Sequence, residues 1–407
     1  MAAKFFINGG VNSNWNSTSN WSTTSGGTGG AAVPSAVDAV TFDIHSPNCI
    51  INVTANVSSL TFTNYTNTIT INNPLHSSTF VTLGSGMSFA GSSTLGMNST
   101  STQILTSNGK SVDVPFVVTP GNGILSISGN CTFNQSFTII SNGNSLTING
   151  SSIILNSNLI INNTKDILGT ATLVFAGNTT LTNLNHVGIS NNITITGNLN
   201  TNSVLYYGFM ISTSGTAGTL TYTSGIITNV ITIVSNCSIN TNSSVSFPEL
   251  DFYTGTNSLA TSLNVNLTSV LYANLIYVTL NNSNATYTLN FLGSFGFNVK
   301  NWTIDSTTTI VLMSSIQYTI SNHWIAQGNI DRTGLSDYVT LSSSTPGTQS
   351  ILIIQQGTIQ DMMFMTITDI DSSLGATVWN YGGTISNTKN WKILGDTQSP
   401  KIKSVVN

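Results

Sequence analysis

The sequence predicts an all-β chain wound as a β-solenoid, a parallel β-helix with capped ends, and three observations carry that expectation. Short runs rich in β-branched residues recur about every 8–12 residues, each closed by Asn, Gly or Ser. No window combines a sustained helical period with a cap and a stop signal. Charge is scarce: Lys and Arg number 9 and Asp and Glu 13 in 407 residues, where an ordinary domain carries about 25% charged residues. Stacked coils place like residues above one another every ~4.8 Å, so charges repel along the stack while asparagines hydrogen-bond. A multi-domain β-sandwich or jelly roll fits the strand spacing equally well but has no such reason to avoid charge. The near-repeat SLTINGSSIILNSNLIINN (145–163) also favours the solenoid.

Four regions follow in order. Residues 1–45 form a Trp- and Gly-rich N-terminal cap containing Trp15 and Trp21. Residues 46–290 contain no tryptophan and read as strands, among them NVSSLTFT (56–63), TITIN (68–72), ILSIS (124–128), SFTIIS (136–141), ATLVFAG (171–177), NITITG (192–197) and LIYVTLN (275–281). At roughly 20 residues per coil this middle region holds about twelve coils. Residues 291–393, with Trp302, Trp324, Trp379 and Trp391, form a distinct C-terminal region, which the resemblance described below implies to be a β-helix terminus, and 394–407 a tail.

Composition narrows the function. Hydrophobic residues at 39%, a mean hydropathy of +0.18 and a net charge of -4 exclude intrinsic disorder. Too few cations exist to neutralise phosphates, so no nucleic-acid partner is expected. No apolar run of about eighteen residues predicts membrane insertion, and the N-terminus lacks a signal-peptide core. A near-neutral surface removes the repulsion that keeps proteins apart, which suits an assembly. Cys49, Cys131 and Cys237 lack zinc spacing and read as buried thiols, one distant disulfide remaining open.

The two ends carry a resemblance. NWNSTSNWSTTSGGTGGAAVPSAVDAVTFD (14–43) supplies Asn20, Trp21, Pro34, Asp38, Val40 and Phe42, and VKNWTID through TKNWKI (299–393) supplies Gly328, Gly334, Val339, Gly347, Ile367, Asp369, Gly375, Ala376, Trp379, Asn390 and Trp391. These segments, about a third of the chain, resemble the ends of β-solenoid structural and surface proteins of phages and large viruses, with motifs shared with bacterial surface solenoids. The resemblance implies a fold and a structural setting, with Trp15, Trp21, Pro34, Asp38, Phe42, Trp379 and Trp391 as caps. It implies no catalysis.

Each candidate for chemistry has a plainer reading. Asp369 and Asp371, two apart, are a weak calcium candidate, but Gly375 falls one place late for an EF-hand and the plainer reading is a solvated turn. Glu249 and Asp251, beside Tyr253, read as a surface turn. Asp43 and His45 would share a face and a charge-assisted hydrogen bond. GTGGAA (27–32) fits a dinucleotide fingerprint only formally and reads as a flexible loop. His76, His186 and His323 stand alone. Tyr206, Tyr207 and Phe209 read as partly core, otherwise as an aromatic contact. About eighteen N-x-[ST] sequons, including Asn52, Asn56, Asn64, Asn130, Asn178 and Asn301, are expected to stay unmodified.

The expectation is therefore a non-enzymatic virion structural protein: a fibre, decoration or tail component without cofactor or catalytic residue. Its expected partners are itself, other virion proteins and host surface glycans. The alternative is a cell-surface adhesin or extracellular filament subunit. A carbohydrate-active enzyme would need converging carboxylates, for which the acids are few.

Overall fold

In a computed structural model, the chain is a parallel β-solenoid of about 12 turns. The structure describes residues 2–394 apart from 8, 11, 100–101, 121–122, 141–144, 163–165, 184–187, 190–192, 197, 202–204, 208–218, 223–226, 229, 234–235, 242–244, 255–261, 281–286, 305–307, 328 and 331–335. The chain divides into two compact units, Met1–Phe209 with Ser214–Thr232, and Met210–Thr213 with Ile233–Asn407.

The first unit stacks three strands per coil. Alternation turns every second residue inward, and the register makes those residues columns. One column runs Val40, Leu60, Val81, Leu105 and Ile127. A second runs Cys131, Ile153, Leu173, Ile193 and Leu220. The third runs Ala55, Leu75, Leu95, Phe116, Phe137, Leu159 and Leu181, members roughly 20–22 residues apart. All are buried, each large side chain contributing about 1.5–3 kcal/mol. The β-branched runs ending in Asn or Gly form these short strands because each coil must turn after three or four residues. Gly150 marks one such corner: its φ is 105°, and a Cβ there would lie 2.0 Å from the Ile127 carbonyl oxygen, so the coils approach closely only at glycine.

In the second unit the columns are Leu263, Leu289, Ile310, Leu341 and Ile367, and Phe252, Val278, Ile304, Ala326 and Met362. The strand Gln317–Gln327 bends around a corner and pairs with both Ser350–Ile354 and Ile359–Thr368.

Cys49 and Cys131 are free and fully buried. Burial pushes the Cys131 thiol up to about 12 and that of Cys49 well above its ordinary range. The side chain of Cys237 lies outside the described residues, as do those of Tyr206, Tyr207 and Phe209 and the whole of His186.

Candidate functional site

The described residues best organised for a task are those closing the first coils and building the last. An open solenoid edge presents unpaired N–H and C=O groups to any strand that arrives. At the N-terminal end, the strand Trp21–Ser22 lies antiparallel to Ala3–Phe6, which in turn pairs in parallel with Ala39–Phe42. A single 3₁₀ turn, Thr18–Asn20, aims the chain into this reversal.

Asn20 is buried and its Nδ2 donates to the carbonyl oxygens of Asn12 and Asn14, both at 2.9 Å. The next residue, Trp21, is fully buried, and its Nε1 donates to the Trp15 carbonyl oxygen at 2.6 Å. The indoles of Trp15 and Trp21 meet edge to face at 4.6 Å, Trp21 meets Phe6 at 5.1 Å, and Phe42 stacks on Phe62 at 5.0 Å. Pro34 is buried. Asp38 closes the preceding turn by accepting from the Ser35 N–H at 2.9 Å and the Ser35 hydroxyl at 2.8 Å. The Ser35 backbone bond holds its carboxyl below the usual range, against the opposing pull of burial. Tyr65, Phe62 and Phe6 were not legible as cap members, because ring contacts across coils leave no local signature.

GTGGAA is irregular but held: the N–H groups of Gly27, Gly30 and Ala31 donate to the carbonyls of Thr24, Thr18 and Trp21. The segment is a loop, as expected, tied to the cap by these bonds. Asp43 is reassigned. Its carboxylate accepts from the backbone N–H of His45 at 2.9 Å, and the imidazole makes no bond to it.

The C-terminal end repeats the Asn-Trp device. Asn390, at φ 61°, donates to the carbonyl oxygens of Ser372 and Gly375 and accepts from the Thr377 hydroxyl. Trp391 follows, buried edge to face against Trp324 at 5.8 Å. Trp379 turns outward instead, half-buried, with the Lys392 ammonium 4.9 Å from its ring.

Asp369 and Asp371 are not brought together as ligands. Asp369 is buried, not solvated, and accepts from the Gly347 N–H at 2.9 Å and from Asn387 Nδ2. Burial pulls the Asp371 carboxyl up, but hydrogen bonds from Ser373 and Lys389 outweigh it and leave it below its usual range. Donors surround both groups where a calcium ion requires oxygens. Among the described residues no group of three or more His, Cys, Asp or Glu is placed to hold a metal ion.

Glu249 and Asp251 lie on the strand Phe247–Thr254, not in a turn. Both face outward beside inward Leu250. Burial, then the neighbouring Glu249 carboxylate and a hydrogen bond with it, push Asp251 up to about 7. Asp251 Oδ1 is buried and has no hydrogen-bond partner among the described residues.

Outward side chains form polar ladders of the expected kind. Asn134 donates to Asp113 at 2.6 Å and Asn156 to Asn134 at 2.8 Å. Asn290 donates to Asn264 at 2.8 Å and Asn322 to Asn301 at 2.7 Å. Compared with known proteins, the chain matches no family model, no curated protein and no solved structure.

Proposed function

We propose that the chain is a non-enzymatic structural component of a virion, a fibre, decoration or tail part that serves as a rigid β scaffold for assembly or host attachment. One observation carries the reading: the first coil is closed by an antiparallel strand and a cluster of buried indoles, which stops uncontrolled edge pairing while leaving sparsely charged lateral faces open. Backbone bonds between coils and asparagine ladders along them give stiffness. The scarcity of charge favours stable lateral contact.

The test is quantitative mass spectrometry of purified virus particles beside the surface fraction of host cells. Stoichiometric enrichment in particles is expected, and the copy number separates a lattice protein from a vertex or tail fibre. Absence from particles with presence on cells overturns the proposal in favour of an adhesin or filament subunit.

A further inference from the structure

In the first unit, the strands Ala39–Phe42, Ala55–Phe62, Leu75–Thr82 and Gln103–Thr106 lie side by side and turn alternate residues outward. The register stacks Thr41, Thr61, Thr82 and Thr106 in one row, continued by Ser128. Beside it run Ala39, Ser59, Phe80, Ile104 and Ser126, of which Ser59 is itself buried. Rungs repeat every ~4.8 Å. Phe80 is 39% and Ile104 44% exposed. Among the described residues, none of the four threonine hydroxyls has a partner within the chain. No charged or histidine side chain stands in either row.

We propose that this outer face, through Thr41, Thr61, Thr82, Thr106, Phe80 and Ile104, binds an uncharged polysaccharide laid along the stack of coils. Each part of the face matches that chemistry. Hydroxyls that both donate and accept suit sugar hydroxyls, while a phenyl ring and the sec-butyl side chain of Ile104 suit the C–H face of a pyranose ring. A row repeating at about the length of one sugar unit suits a polymer better than a single small ligand. The lack of cations excludes an acidic glycan or nucleic acid, which need them. Two exposed apolar side chains are too few to anchor a protein interface, which rests on a cluster of buried anchors.

The inference rests on the scaffold reading only for its rigid platform. Retention of the purified chain tests the face, whereas particle composition tests the scaffold role, so either can fail alone. The experiment incubates the full chain with microcrystalline cellulose, chitin particles and an alginate gel. Retention on a neutral matrix, competed by soluble cello- or chito-oligosaccharides, and none on alginate is expected. Thr82→Val with Thr106→Val, and separately Phe80→Ala, should each weaken retention about tenfold with an unchanged circular dichroism spectrum. Thr132→Val with Thr194→Val, in a different row of stacked strands, should leave it unchanged. Failure of the wild-type chain to bind either neutral matrix, equal binding to alginate, or undiminished binding by the folded variants overturns the proposal. Self-association abolished by Phe80→Ala overturns it too, since a second copy would then cover the face.

Discussion

The indole of Trp324 lies flat against that of Trp302, ring centroids 5.5 Å apart and planes within 6°, and neither Nε1 has a hydrogen-bond partner among the described residues. Parallel pairing forces this stack, since the register sets Trp302 opposite Trp324. Two donors are left unsatisfied for the sake of the packed ring area, so packing outweighs hydrogen bonding here.

Trp324→Ala should therefore destabilise the second unit by about 3–5 kcal/mol, the range for emptying a large core site. Urea unfolding followed by fluorescence measures it. A loss below about 1 kcal/mol would show that neighbouring coils collapse into the space.

Gln103 presents a contrasting case. It is fully buried, and both its Nε2 and Oε1 lack partners among the described residues. Replacing the amide with a thioether of similar shape removes that penalty. Gln103→Met should raise stability by about 1–3 kcal/mol, read as a higher denaturant midpoint. A lower midpoint would mean that a buried water serves the amide.

Asp251 predicts a pH dependence. Its native pKa of about 7 exceeds the unfolded value near 3.9, so the folded chain holds the proton more tightly. The stability this adds is complete below about pH 4 and is lost as pH rises through 7. After discounting for solvent screening, the loss should be on the order of 1 kcal/mol. Asp251→Asn should abolish that slope in denaturation series at several pH values, and a slope of opposite sign would refute the assignment.

Trp21→Ala should open the first edge. The variant removes the indole that holds the antiparallel strand over Ala3–Phe6, and exposed edges template pairing. Concentration-dependent growth of thioflavin-positive fibres is expected from the variant and not from the parent chain. A monomeric, dye-negative variant would show that Trp15 and Phe6 close the edge without it.

Much of this architecture was legible because its signal is local. ILSIS is a strand at Ile124–Ser128 and TITIN at Thr68–Ile71, each marked by alternation and a turn residue. The scarcity of charge pointed to the solenoid because like residues stack along it. Contacts between coils were not legible. Glu249 and Asp251 looked like a turn because two acids beside a tyrosine are polar in any local window, yet Leu250 between them is pulled inward by Ile276 of the next coil. Trp379 likewise shares the sequence character of Trp391 but falls on the outer side of its strand, a parity set only by register.

The two buried thiols give the first unit a pair of internal clocks. Cys49 and Cys131 sit in different coils, each sealed by its neighbours, and only the thiolate reacts with a disulfide reagent. A coil must separate before its sulfur can be labelled, and in a stacked architecture each coil is held only by those on either side. The labelling times of the two cysteines therefore record two separate opening equilibria. Their ratio reports whether fraying starts at the capped end or spreads from within.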